Sequence, residues 1–422
     1  MARPKFFRSP EYCEYFRLLA RLHGLIAAAN DESPEGDRLR DQLDVCSEHF
    51  TDDEIASLSG LSGDLYSLTE LPVALQPRNA SVSEQLVEAM HAQHAGDSVR
   101  ALALLRANRR SIPAAQLAYM RGRIISEAGL YDIAWRFFQV AAKWDPTNAN
   151  FQFIALDALN RFDVTRARAL ADAILAAPNE QPPKLLLKAA EIRLNSSSGL
   201  DDAAGGLIRT ELIPLFEHII LDFEAGCDGG DSSHLLPLAY ALCGFCFQDL
   251  GEMPKARRCL DQALHLDRNN DALLTARGIL LYGHDSAAAR SDFQAAVALE
   301  SPHSPHALPY LFLAHHFLLQ NRHDACVAMC EQALQRPLAD KVRANCFEWI
   351  AICQTMLGSA PQNVRASFDR AVQLAPQNER IQRNRRAFED CLAAASMESI
   401  QWETDAESEL RELGRSEFHL AA

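Results

Sequence analysis

The chain has 422 residues, of which 48% are hydrophobic and 23% charged, and this balance excludes a largely disordered protein. Its formal net charge of −15 disfavours non-specific binding to nucleic acid, which requires a positive surface against the phosphates. No apolar run approaches the roughly 18 residues that span a bilayer, and no clean apolar core follows the basic first residues. We therefore expect neither a membrane helix nor a signal peptide.

The first part of the chain predicts three helices that do not follow a repeat. Apolar residues recur at helical spacing over residues 11–30. Ser33 can cap a second helix that runs to Phe50. Thr51 and Glu54 have the spacing of a capping box, which predicts the start of a third helix.

Residues 1–80 are expected to form one helical block. Its last part, residues 71–79, contains two prolines and predicts an extended connector. We expect the block to cap the apolar end of the helical array that follows, since stacked helical repeats need polar-faced ends. The alternative is a separate binding module.

A unit of about 34 residues recurs between residues 82 and 378. Its two best copies cover residues 114–148 and 236–270. Both have a small residue in the first helix, a glycine in the turn and two alanines in the second helix: Gly122, Gly129, Ala134 and Ala141 in one copy, and Gly244, Gly251, Ala256 and Ala263 in the other. Small side chains are expected where packed helices approach to roughly 8–10 Å.

This spacing resembles the tetratricopeptide repeat (TPR) family, whose helix–turn–helix hairpins stack on copies of themselves. The resemblance implies an all-α fold: a right-handed α-solenoid of about eight TPR-like helical hairpins with a helical N-terminal cap.

Departures from the repeat divide the chain into six predicted segments. They are the N-terminal cap or module at 1–80, an N-terminal TPR-like array at 81–182, an irregular long hairpin and loop at 183–235, a C-terminal TPR array at 236–378, a capping helix at 379–395 and an acidic tail at 396–422. Within the third segment, Pro214 predicts a helix that is kinked or restarted. In the tail, Trp402 and Phe418 are apolar residues that either dock into a groove or belong to a frayed end.

In the family that the repeats resemble, the first helix of each hairpin lines a concave face. The resemblance therefore implies a partner-binding groove at the positions between the packing residues: Tyr119, Arg123, Leu159, Phe245, Gln248, Ile279, Leu311, His315 and Leu318. This set departs from the lysines, asparagines and arginines with which some members hold the C-terminal carboxylate of chaperones. A mostly apolar face suits an amphipathic helix or an extended hydrophobic segment. The alternative is a groove filled by the chain's own side chains.

Two residue clusters have alternative interpretations. The basic cluster Arg380, Arg383, Arg385 and Arg386 is expected to be a solvated helix face, or else a dock for an acidic segment such as the tail. His315 and His316 are adjacent on a helix and point to different faces, so we expect one in the groove and one partly buried. A pH-sensitive or metal-assisted contact is the alternative.

No metal site, cofactor site or catalytic residue is predicted. The eleven cysteines lack a second pair at zinc-finger distance from Cys243 and Cys246, and we expect them in the core. The phosphate-loop, nucleophile-elbow, zinc-protease and dinucleotide motifs are absent, so we expect a protein that is not an enzyme. An odd number of cysteines without a signal peptide indicates a reducing compartment, and we expect the protein in the cytoplasm.

Together these features predict a soluble protein–protein interaction scaffold or adaptor that binds an apolar or helical segment of a partner in the concave groove. The expected partner is a protein or peptide, with no nucleic acid and no membrane. The alternative is a regulatory peptide sensor whose groove is occupied by a small peptide or by its own acidic C-terminal tail. A third possibility is a subunit of an enzyme whose chemistry resides in a partner.

Overall fold

A computed structural model describes residues 9–69, 80–197, 202–226, 233–299, 307–393, 400–404 and 410. Within these ranges the chain forms twenty α-helices and no β-strand. The helices belong to two compact units, residues 1–196 and 197–422. The predicted connector 71–79 and the tail residue Phe418 lie outside the described residues.

The first unit contains ten of these helices. They are α1 (Pro10–Ala27), α2 (Pro34–Ser47), α3 (Asp52–Tyr66), α4 (Ala80–His94), α5 (Ser98–Ala107), α6 (Ala114–Ser126), α7 (Tyr131–Trp144), α8 (Ala149–Phe162), α9 (Val164–Leu175) and α10 (Pro183–Asn195). Consecutive helices pack as antiparallel hairpins, α4 with α5, α6 with α7 and α8 with α9, and α10 packs on both α8 and α9.

The N-terminal helices begin where their capping residues predict. Ser33 accepts a hydrogen bond from the backbone N–H of Gly36, and Thr51 and Glu54 form the expected reciprocal capping box. Tyr12 and Phe16 of α1 are fully buried in the same hydrophobic core as Phe137 of α7. The first three helices therefore fold together with the first repeats.

The second unit also contains ten described helices. They are α11 (Asp202–Glu224), α12 (Leu236–Asp249), α13 (Met253–Leu266), α14 (Asp271–Leu281), α15 (Ser286–Leu299), α16 (Leu308–Leu319), α17 (His323–Leu334), α18 (Asp340–Met356), α19 (Pro361–Leu374) and α20 (Glu379–Ala393). Four hairpins follow one another, α12/α13, α14/α15, α16/α17 and α18/α19, while α11 packs on α12 and α20 on α19.

The segment 183–235, predicted as an irregular long hairpin and loop, contributes helices to both units. Its first helix, α10, belongs to the first unit, whereas α11 belongs to the second and packs on α12. Helix α11 also continues through Pro214 without restarting. The buried side chains of Leu212 and Phe216 on either side of the proline hold this helix in the core.

The glycines of the repeat have the predicted steric role. A Cβ atom on Gly122 would lie 2.6 Å from Cε1 of Phe138, and one on Gly278 would lie 2.6 Å from Cε1 of Phe293. In each case the glycine on the first helix faces a ring on the second, so the two helices of the hairpin can approach closely. The all-α, TPR-like fold is thereby confirmed, while its handedness and the number of repeats stay predictions.

Candidate functional site

The first helices of successive hairpins in the second unit share one face. Helix α14 contacts α16, and α16 contacts α18. Helix α20, which follows the last hairpin, is joined to α18 by hydrogen bonds between side chains. Polar side chains from these helices lie close together on this face.

A buried ion pair joins α18 and α20. Arg380 on α20 donates from Nη1 to Oε2 of Glu348 on α18 at 2.5 Å and from Nη2 to Oδ1 of Asn345 at 3.0 Å. Glu348 is fully buried and Arg380 is 8% exposed. The second carboxylate oxygen of Glu348 accepts from Nδ2 of Asn384 at 2.8 Å. A buried ion pair is tolerated when hydrogen bonds satisfy its remaining groups, and here both carboxylate oxygens have partners.

The backbone of the acidic tail is bound to this network through Asn384. Residues 400–404 have no regular secondary structure. The backbone N–H of Glu403 donates to Oδ1 of Asn384 at 3.0 Å, and Nδ2 of Asn384 donates to the carbonyl oxygen of Glu403 at 2.9 Å. The amide nitrogen carries two hydrogens, so it can serve Glu348 and Glu403 together. One side chain thus pairs both main-chain groups of a single tail residue.

Two tail side chains make further contacts. The carboxylate of Glu403 forms a bidentate ion pair with Arg383, in which Nε and Oε1 are 2.8 Å apart and Nη2 and Oε2 are 2.9 Å apart. The hydrogen bond from Arg383 lowers the pKa of Glu403 below its usual value. Trp402 stacks against Phe368 with ring centroids 6.2 Å apart and an angle of 25° between the ring planes.

His315 binds the next residue of the tail. Its Nε2 lies 2.9 Å from the carbonyl oxygen of Thr404, and its Nδ1 lies 2.6 Å from the hydroxyl of Tyr282. A carbonyl oxygen only accepts, so Nε2 carries the hydrogen of this bond. In the neutral ring Nδ1 then accepts from Tyr282, which fixes the orientation of the imidazole.

The predicted groove residues of the second unit are largely buried. Phe245, Ile279, Leu311, His315 and Leu318 are each at most 8% exposed, and Gln248 is half-buried. Such low exposure is what the alternative of a groove filled by the chain's own side chains predicts. Stacking of each first helix against its neighbours covers them, and His315 bonds the tail.

The predicted groove residues of the first unit have three different environments. Leu159 is buried in a core with Leu156 and Ala167. Tyr119 is half-buried, with its ring packed near those of Phe138 and Phe151. Arg123 is exposed. In the part of this unit that the structure describes, the three side chains do not form one site.

The sequence candidates included His315, which bonds the tail backbone, and Arg383, which binds a tail side chain. They did not include Asn384, which bonds both main-chain groups of Glu403. Asn345 and Glu348 on α18 were not candidates either, and these two residues and Asn384 on α20 are all buried and polar. The basic cluster does contain the predicted dock for an acidic segment, because Arg383 pairs with Glu403. Arg385 instead pairs with the exposed Asp369 on the solvated side.

The remaining candidate residues are the cysteines and His316, and most of the described ones are buried. Six cysteines are buried, as the core interpretation predicts: Cys243, Cys246, Cys326, Cys330, Cys346 and Cys353. His316 is also buried. Within the described ranges, no group of three or more histidine, cysteine or acidic residues is placed to hold a metal ion. None of the helices described above is long and apolar enough to cross a membrane.

Several solved structures are similar to this chain. A tetratricopeptide repeat protein from Parabacteroides merdae is 16% identical over 65% of this chain and 100% of its own, with a TM-score of 0.41. The APC/C hetero-tetramer Cut9–Hcn1 is 16% identical over 90% of this chain and 96% of its own, with a TM-score of 0.30. The TPR domain of P58(IPK) is 16% identical over 80% of this chain and 98% of its own, with a TM-score of 0.23. No family model and no curated protein sequence matches the chain.

Proposed function

We propose that this protein is an interaction scaffold whose second, C-terminal unit (residues 197–422) binds an extended acidic segment. We propose further that its own tail residues 400–404 occupy this site. The observation that supports the proposal is the reciprocal pair of hydrogen bonds between Asn384 and the backbone of Glu403. Such a pair recognises an extended chain whatever its side chains, as in other proteins that bind peptides through their main chain.

The side-chain contacts would give the site its selectivity. Along the bound segment, Trp402 stacks on Phe368, the next residue, Glu403, pairs with Arg383, and the following carbonyl is bonded by His315. A partner segment with an aromatic residue directly before an acidic residue can make the same contacts. Main-chain hydrogen bonds supply affinity in this mode of binding, and side chains select the sequence.

This proposal favours the peptide-sensor alternative over an open apolar channel. The apolar residues expected to line the channel are buried, whereas the polar face has a bound segment. Because the tail is tethered, its local concentration is about millimolar, and a partner has to compete with it. Binding of a partner in trans therefore requires release of the tail, which lowers the apparent affinity of the full-length protein.

A peptide-binding assay tests the proposal. A fluorescent peptide of residues 396–412 is titrated with protein truncated after residue 395 and with the full-length chain, and anisotropy gives the two dissociation constants. We expect the truncated protein to bind at least about tenfold more tightly, since it lacks the competing tail. Peptides with Trp402→Ala or Glu403→Gln serve as matched controls and should bind more weakly.

Two results would contradict the proposal. One is the absence of binding to a truncated protein whose circular dichroism and melting temperature show that it is folded. The other is equal binding by the truncated and full-length proteins, which would mean that the tail does not compete for the site.

A further inference from the structure

A cavity of about 260 Å³ lies within the N-terminal unit, between helices α3, α5, α6 and α7. Its size is slightly below that of pockets for drug-sized ligands, and it suits a smaller molecule. The wall combines apolar and charged side chains: Leu68, Ile112, Leu117, Val140 and Trp144 on the apolar side, and Asp64, Arg106, Arg109 and Arg121 on the polar side.

One buried carboxylate binds two of the arginines. Asp64 accepts from Nε of Arg106 at 2.8 Å and lies 2.7 Å from Nη2 of Arg121. The Asp64 side chain is 2% exposed and that of Arg121 is 4% exposed. Burial raises the pKa of Asp64, and the two guanidinium groups oppose this effect. The one carboxylate of the cavity wall is therefore already paired with Arg106 and Arg121.

Positive charge is in excess at the cavity. Three guanidinium groups and one carboxylate line it, which leaves a formal charge of about +2, because arginine stays protonated. Arg109 forms no ion pair with any residue in the described part of the chain, and its side chain is exposed. An anion that enters from solution can pair with the exposed guanidinium of Arg109 and reduce this excess of positive charge.

Two glycines of α3 shape this cavity. A Cβ atom on Gly60 would collide with Nη1 of Arg106, so any larger residue there requires the guanidinium to shift. A Cβ atom on Gly63 would meet no other atom within 4 Å. Gly63 lines the cavity and is exposed, so a larger side chain at this position would meet no steric barrier.

We propose that this cavity binds a compact apolar monoanion, a small carboxylic acid with an aromatic or short aliphatic body. Its carboxylate pairs with the guanidinium groups of Arg109 and Arg106, and its body packs against Val140 and Trp144. Guanidinium groups bind carboxylates through paired, charge-assisted hydrogen bonds, and the apolar side of the wall suits an acid with an apolar body.

Calorimetric titration of the full-length protein with chosen probes tests the chemical class. Phenylacetate, indole-3-acetate and octanoate supply both the anion and the apolar body. Acetate lacks the body, and 2-phenylethanol lacks the charge. We expect at least one of the first three to bind with a dissociation constant below about 1 mM, and both controls to bind about tenfold more weakly or worse.

Two pairs of variants locate the site. Arg109→Gln should weaken binding of the best probe about tenfold, whereas Arg110→Gln, at the neighbouring exposed arginine outside the cavity wall, should leave it unchanged. Gly63→Leu should block binding. Gly206→Leu is the matched control, because Gly206 is also helical and its nearest neighbour, Leu250, is 4.0 Å from the added Cβ.

The proposal is overturned if none of the three apolar acids binds, or if 2-phenylethanol binds as tightly as phenylacetate. It is also overturned if Arg109→Gln and Arg110→Gln have the same effect on a probe that does bind. Gly63→Leu is interpreted with its melting temperature, and blocked binding in a folded variant supports the site.

Discussion

The side chain of Asn384 bonds both main-chain groups of Glu403, with Oδ1 accepting at 3.0 Å and Nδ2 donating at 2.9 Å. The same Nδ2 donates to Glu348, which is paired with Arg380. A buried ion pair on two helices therefore holds the amide in the orientation that the tail backbone needs. Such preorganisation reduces the entropy lost when a segment binds.

Replacing Asn384 should release the tail. Asn384→Ala removes both hydrogen bonds to the backbone of Glu403, and each such bond contributes about 0.5–1.5 kcal/mol. We expect the affinity of the 396–412 peptide for the truncated protein to fall by roughly five- to a hundredfold. Asn363→Ala is the control, because Asn363 is exposed on α19. An unchanged affinity in Asn384→Ala would show that the amide does not hold the segment.

Binding of the tail should require opposite charges at positions 383 and 403, because Arg383 and Glu403 form an ion pair. Arg383→Glu places two carboxylates together and should weaken binding of the 396–412 peptide. A peptide with Glu403→Arg should restore binding to this variant, since the charges are exchanged. Both side chains are 50% exposed, so added salt should screen the pair and reduce the difference between variants. Failure of the exchanged pair to rescue binding would contradict the assigned contact.

The ion pair between Arg383 and Glu403 also predicts how the affinity of the tail peptide changes with pH. Hydrogen bonding from Arg383 lowers the pKa of Glu403 when the tail is bound, relative to the usual value of 4.5. The contribution of this group is therefore present above the usual pKa and is lost as the pH falls through the lowered pKa of the bound state. We expect peptide affinity to decrease with acidification in that window. A Glu403→Gln peptide should lack this component, and an identical pH profile for the two peptides would contradict the prediction.

The fold was predictable from the sequence because the repeat encodes contacts between neighbouring helices. Gly122 and Gly278 are small where a phenylalanine ring of the next helix approaches, and this requirement recurs at a fixed spacing. Packing inside each hairpin therefore produces a periodic pattern in the sequence. The pairing of Arg383 with the tail was also within reach, since a basic cluster precedes an acidic segment.

The polar network could not be predicted, because its contacts join residues that no periodicity relates. Asn384 and Glu348 are 36 positions apart, and Arg106 and Asp64 are 42 positions apart. A single polar residue on a helix does not identify its partner in sequence. The repeat pattern also left open whether the groove is open or filled by the chain's own side chains, since it does not show what covers the first helices.

The buried pair of Glu348 and Arg380 should be important for the stability of the C-terminal unit. Glu348→Ala removes the buried carboxylate that accepts from Arg380 and Asn384, and breaking a buried ion pair in this way costs about 3–5 kcal/mol. We expect a clear fall in the midpoint of urea denaturation, followed by circular dichroism. Glu389→Ala is the control, because Glu389 is paired with Arg365 on the surface and its loss should change the midpoint little. Equal midpoints for the two variants would contradict this role for Glu348.

Substituting a glycine should lower the free energy of unfolding where two helices are in close contact, but not where the position is open. Gly278→Val places a branched side chain against the ring of Phe293, where even a Cβ atom would be 2.6 Å away. Such overpacking should lower the free energy of unfolding by about 1–3 kcal/mol. Gly63→Ala adds a methyl group that meets no neighbour within 4 Å, and alanine favours a helix over glycine by up to about 1 kcal/mol.

Urea denaturation of the two variants measures this contrast. We expect the midpoint of Gly278→Val to fall and that of Gly63→Ala to stay the same or rise, with the wild-type protein between them. A Gly278→Val variant as stable as the wild type would mean that the α14/α15 hairpin can open to admit the side chain. In that case the small residue of the repeat would not be set by the distance between its helices, and its recurrence along the chain would need another physical cause.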